Sequence, residues 1–231
     1  RGFLYLSDRV NDQVRLVDVA HDSVESLADG FDTPGALALD GDVLYVADTK
    51  HNAIVAVDVD TGDKNVIAGG SDGRDDGPVD TATLHEPQAL ALERTDDGDR
   101  IVFGGFDGDL RAVDLVNAEV VTLARGTAGF FAGFTPSDRG LLLSDNTGGL
   151  LLLSGDDLVH LAGAVAPEGY VDGDGSDARF TLPDLIIQAP PGVGDENDVR
   201  CSVAVNNVGR FVDVETGFVS TFLGGPYIDG D

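Results

Sequence analysis

The densest grouping of side chains able to do chemistry is Asp172-Gly173-Asp174-Gly175-Ser176-Asp177. Three carboxylates alternate with glycines that permit a sharp turn, a pattern of hard oxygen ligands suited to calcium. The bidentate Glu that completes an EF-hand is missing, since Leu182 and Pro183 stand where it would fall. A calcium site at Asp172, Asp174 and Asp177 is one expectation, and no other cofactor is expected. A plain turn is the other reading, because Gly accepts positive φ and Asp caps turns. The single Cys201 can form no internal disulfide, and nothing beside it in sequence marks a depressed thiol pKa. It reads as an inert residue of a strand.

The acidic loop belongs to a repeated cassette. Asp76-Gly77-Pro78-Val79-Asp80-Thr81-Ala82-Thr83-Leu84-His85-Glu86-Pro87 aligns with the stretch from Asp172 to Pro183, with Asp-Gly, Ala, a large apolar residue and Pro at the same offsets. Tyr170-Val171-Asp172-Gly173 returns as Tyr227-Ile228-Asp229-Gly230. Such self-similarity marks one supersecondary unit stacked several times. Between the cassettes run short apolar segments broken by turn residues. Ala36–Asp40, Val43–Asp48, Ala53–Val59 and Asn65–Ala68 give four strands in about forty residues, the spacing of a propeller blade. Asp8 and Asp48 are 40 residues apart, as are Asp18 and Asp58. Weaker copies follow, making five blades of an all-β propeller with four-stranded antiparallel blades and no helical periodicity. The span 1–231 reads as one domain.

At Leu44-Tyr45-Val46-Ala47-Asp48, with the turn to Asn52, Ile54, Ile67-Ala68-Gly69-Gly70 and the Asp76-Gly77…Pro87 loop, the chain resembles the NHL-repeat family of β-propellers. The likeness is strongest over residues 3–93 and returns at 163–183. Gly104-Gly105 and Asn206-Asn207 depart from the strand-ending Ala-Asp, so those blades are expected to be less regular. In the family, the strand after the Asp-Gly…Pro loop is the innermost of the next blade. The segment Phe3–Asp8 therefore reads as a second strand, and the chain lacks Met, so an excerpt of a longer six-bladed protein is expected.

The resemblance also implies where functional groups gather. Turns between second and third strands share a face with the connections between blades. That face would carry Asn11, Lys50, His51, Asn52, Asp107, Asn146, Asn206 and Asn207, and it is the surface expected to meet a protein or cell-surface partner. Each of these residues is equally an ordinary turn former. Two catalytic alternatives come from propeller relatives. An amidating-lyase-like site needs several converging histidines, and of His21, His51, His85 and His160 only His51 and His85 would share a face. A lactonase-like site needs calcium held by Glu, Asn and Asp, and the required Glu has no counterpart among seven. A non-catalytic scaffold or binding module is the favoured reading.

Charge narrows the setting. The chain has 42 acids against 14 Lys and Arg, a formal net charge of -28. The acids are overwhelmingly Asp and the bases overwhelmingly Arg. Concentrated salt screens such repulsion, whereas at ordinary ionic strength it opposes compaction. The composition resembles that of a salt-in halophile, in an extracellular or cell-surface place rather than the cytoplasm. Nucleic acid would need Lys and Arg on the loop face, which is acidic instead. No apolar run is long enough to span a bilayer, so membrane insertion is not expected.

Overall fold

The computed structural model describes residues 2–127, 129–163, 169–181, 183–188, 198–203 and 208–224. It is all-β, with five antiparallel sheets and, among the described residues, no α-helix. The chain divides into two compact units, Arg1–Arg125 and Gly126–Asp231.

The first unit holds three blades. Blade one is β1 (Phe3–Asp8), β2 (Gln13–Asp18) and β3 (Ser23–Ala28), and blade two is β4 (Pro34–Asp40), β5 (Val43–Asp48), β6 (Ala53–Asp58) and β7 (Lys64–Gly69). The short β8 (Gly77–Pro78) precedes blade three, made of β9 (Pro87–Thr95), β10 (Gly98–Gly105), β11 (Leu110–Asp114) and β12 (Glu119–Ala124). The second unit holds blade four, β13 (Phe131–Ser137), β14 (Gly140–Asp145), β15 (Gly149–Ser154) and β16 (Asp157–Gly163). Its blade five is β17 (Pro183–Gln188), β18 (Asp198–Val203), β19 (Val208–Asp213) and β20 (Val219–Leu223).

Strands pair in chain order within each blade. Two sheets depart from four strands. Blade one has three, and β8 adds a fifth to blade three by pairing with β12. The extra pairing arises because the first cassette folds back over the blade it introduces instead of running past it. A register shift falls at Gly104-Gly105 against β9, but blades two, four and five carry one between the same two strands, so it does not make blade three less regular than they are. Residues 189–197, Asn206-Asn207 and the Tyr227–Gly230 copy lie outside the described residues.

The cores lie between successive blades. Val14, Phe31, Leu44, Val46, Val55 and Val57 join blades one and two, while Ile54, Leu84, Leu90, Ile101, Phe103 and Val120 join blades two and three. In the second unit Leu142, Leu150, Phe180, Ile186, Val212 and Val219 do the same for blades four and five. The cassette positions that repeat in sequence are those that fill these seams: Ala82 with Leu84, and Ala178 with Phe180, all at most 4% exposed. The Asp that ends the third strand recurs because its carboxylate caps the next turn. The Oδ1 atoms of Asp18, Asp58, Asp114 and Asp213 each accept the backbone N–H groups two and three residues on, at 2.8–3.2 Å.

Candidate functional site

Strand direction puts the second-to-third-strand turns and the connections between blades at the same edge of the sheets in the first unit. The turn after β5 is tied to the approach to β9 through Asn52, which sits at φ 54. Its side-chain oxygen accepts the Glu86 N–H at 2.9 Å, and its carbonyl accepts the Gly70 N–H at 2.9 Å. Asp12, forty residues earlier at φ 56, does the same for blade two. Its Oδ1 accepts the Thr33 N–H at 2.9 Å and its carbonyl the Phe31 N–H at 3.2 Å. Thr33 and Glu86 themselves sit at positive φ immediately before Pro34 and Pro87. Non-Gly residues avoid that region, so both clips hold strained backbone in place.

Around the Asn52 clip stand Lys50, His51 and His85. Lys50 pairs with Glu86 at 2.6 Å, which fixes the turn beside the blade connection. His51 Nδ1 lies 2.9 Å from buried Asp48, whose other oxygen accepts the Asp32 N–H at 2.8 Å. His85 Nδ1 lies 2.7 Å from Asp72. In each pairing Nδ1, and not Nε2, is the ring nitrogen that faces the carboxylate. The Lys50–Glu86 and Asn52–Glu86 links hold the turn that carries His51 beside the segment that carries His85. His21 pairs with Asp18 at the opposite edge, in the turn from β2 to β3.

A ladder of charge continues across blade three. Arg74 reaches Asp107 at 3.0 Å and Asp109 at 3.8 Å. Arg125 reaches Asp109 at 3.2 Å and Asp76 at 3.7 Å, and Arg111 reaches Asp76 at 2.8 Å. Asp107 is thus a nearly buried ion-pair member and not a free surface group. Asn11 donates to the carboxylate of Asp8 at 2.9 Å. In the second unit, Asn146 exchanges two hydrogen bonds with Phe130 at 3.0 Å, clamping the entry to its own blade. Asn206 and Asn207 lie outside the described residues.

The acidic loop of the second unit is built as the first cassette is. Asp76 accepts the N–H and hydroxyl of Thr122, while Arg111 bonds Asp76 and the carbonyls of Asp75 and Thr83. Asp172 accepts the N–H and hydroxyl of Thr221, while Arg210 bonds Asp172 and the carbonyls of Val171 and Arg179. Partial burial works to raise both carboxyl pKa values. For Asp76 the hydrogen bonds from Arg111 and Thr122 outweigh it, and for Asp172 those from Thr221 together with the Arg210 charge, so both lie below the usual carboxylate range.

A calcium ion at Asp172, Asp174 and Asp177 would have to draw Asp172 away from Arg210 and Thr221. Among the described residues, no three His, Cys, Asp or Glu side chains are grouped so as to hold a metal. The sequence reading gave no role to Asp12, Asp48, Asp72, Arg74, Glu86, Asp109, Arg111, Arg125 or Arg210. Asp48 recurs with Asp8 at forty-residue spacing, and Asp12 stands forty residues before Asn52, a signal that could have found both, but the arginines carry no local signal.

No protein-family model matches the chain, and no curated protein is similar to it in sequence. Solved structures do resemble it. One is an auxiliary nutrient binding protein from Bacteroides thetaiotaomicron, with TM-score 0.73 and 16% identity over 96% of this chain and 54% of that one. A second, an auxiliary nutrient binding protein from Bacteroides ovatus, gives TM-score 0.73 and 15% identity over 96% and 54%. A chain of a nidogen/laminin complex gives TM-score 0.67 and 14% identity over 94% and 75%. The protein spans about half the length of the two Bacteroides chains. At these identities the likeness establishes the fold, a β-propeller.

Proposed function

We propose that the chain is a non-catalytic propeller module of NHL type, working in concentrated salt and meeting a protein or cell-surface partner. The contact surface is the edge built on Lys50, His51 and His85. One observation carries this reading: the Asn52 clip and the Lys50–Glu86 pair fix the turn after β5 against the approach to β9, at 2.9 and 2.6 Å. Two imidazoles, each bonded at Nδ1 to a carboxylate, stand on this braced edge. Preorganisation of this kind lowers the ordering cost of association. The nutrient-binding and complex-forming names of the structural relatives point the same way.

The test is capture of a partner by the immobilised chain in multi-molar KCl. A partner held by the wild type should be released by Lys50→Glu with His51→Glu, and kept by His21→Glu at the opposite edge. Equal retention by all three forms would overturn the assignment of this edge.

A further inference from the structure

Every blade carries a register shift between its last two strands, and the residue pair just after it differs between blades in an informative way. In blade three the pair is Arg111 opposite Thr122, and in blade five it is Arg210 opposite Thr221. In blades two and four it is Val55 opposite Val66 and Leu151 opposite His160. The two Arg blades are those entered through an Asp-Gly cassette. Blades two and four are entered through residues 29–33 and 125–130, too few for the twelve-residue cassette.

Blade one has Arg15 opposite Ser26 at that same position, again just after the register shift. It therefore presents the receiving half of the clasp: a guanidinium on β2 and a hydroxyl with its N–H on β3. Among the described residues no Asp-Gly loop is docked there. The Arg15 guanidinium reaches Gln13 Oε1 at 3.1 Å and stands 3.8 Å from Asp8, while its Nε is buried without a partner. The counterpart arginines are almost fully covered, at 3% and 0% side-chain exposure, whereas Arg15 is 31% exposed.

We propose that Arg15 and Ser26 form a docking site for an Asp-Gly loop of the cassette type. The loop's Asp carboxylate binds the Arg15 guanidinium and the Ser26 N–H and hydroxyl. Two carbonyls of the loop, one residue before that Asp and seven after it, take the remaining guanidinium donors. The planar fork of Arg suits this combined carboxylate and carbonyl set, which a Lys ammonium does not reproduce. The inference stands apart from the contact edge assigned above, because it concerns blade one and a different set of residues.

The probe is a peptide of residues 170–183, added to the full chain while the Arg15 Nε–H resonance and the exchange of the Ser26 amide are followed. An Asp172→Asn peptide is the control, and Arg15→Lys the control chain, its fold checked by circular dichroism. Expected is a saturable shift of the Arg15 signal and slowed Ser26 exchange, lost with either control. The Tyr-x-Asp-Gly motif recurs in the sequence at Tyr227–Gly230, outside the described residues. An Asp229→Asn chain that takes the peptide when the wild type does not would support the site and identify Asp229 as a competitor for it. If neither chain takes the peptide in an Arg15-dependent way, the site does not exist.

Discussion

Asp172 binds the guanidinium of Arg210 at 2.7 Å, and the Arg210 side chain is wholly buried beneath it. The guanidinium also stacks on Phe180 at 5.1 Å, so the clasp ties the cassette to the seam between blades four and five. Removing the carboxylate leaves a buried cation with only main-chain carbonyls for partners. Asp172→Ala should cost about 2 kcal/mol, the scale of a hydrogen bond to a charged group, read as a lower denaturation midpoint with unchanged slope. The exposed neighbour Asp174→Ala should change little. Equal effects from the two would mean that the clasp does not hold the loop. A calcium ion at this loop remains a separate proposal. It requires stoichiometric binding in multi-molar KCl that Asp174→Asn abolishes.

Acid should act through the same groups. Asp58 and Asp114 are held below the usual carboxylate range by backbone N–H groups of their turns, Thr61 first for one and Asn117 for the other. Asp76 and Asp172 are held there by the net effect of their clasps. A depressed folded pKa contributes stability that is present above the unfolded value, about 3.9, and lost as pH falls through the folded value. In concentrated KCl, where general carboxylate repulsion is screened, the thermal midpoint should hold to about pH 4 and fall below it. A midpoint that rises on acidification under those conditions would contradict the caps.

The Asn52 clip allows a graded test. Asn52→Ala loses the bond to Glu86 and places an alanine at positive φ, together costing about 2 kcal/mol. Asn52→Gly relieves the backbone and should cost roughly half as much. Asn52→Asp should be nearly neutral, because Asp12 performs the same task in blade one. Chemical denaturation would rank the three, and an order other than Ala, Gly, Asp would remove the clip from the account.

Much of the blade pattern was readable from alternation and turn chemistry. β1, β5 and β11 begin and end where their apolar runs do, because each is bounded by turn residues. Phe130 begins the apolar pair Phe130-Phe131 but stays just outside β13, where Asn146 engages its backbone. β8 was missed, since Gly77-Pro78 has no strand propensity and forms only because the clasp holds it against β12. The cassette repeat announced Asp76 and Asp172. Their partners Arg111 and Arg210 lie 35 and 38 residues away, an offset set by intervening turns, and periodicity does not report it. For the same reason residues such as Asp107 read as surface turn formers, when Arg74 in fact covers them.

Salt is the broadest test of the setting. Acids exceed Lys and Arg by 42 to 14, so most carboxylates have no cation to pair with. Added salt weakens the ion pairs of the Arg74–Asp109–Arg125 ladder and the repulsion among the surplus acids alike. The ladder pairs involve Arg74 and Arg125 side chains about half exposed, and such pairs contribute at most about 1 kcal/mol each. The unpaired acids are more numerous and their repulsion is summed over the whole surface, so its relief should win. The thermal midpoint should therefore climb steeply from dilute buffer to about 1 M KCl, where the Debye length is about 3 Å, and climb more gently beyond. Replacing a set of exposed acids such as Asp42, Asp80 and Asp97 with Asn should raise the midpoint in dilute buffer and leave it nearly unchanged in concentrated KCl. A midpoint that is flat or falling with salt, or substitutions that act equally at both ends of the range, would dismiss the high-salt reading and leave an acidic propeller with no such adaptation.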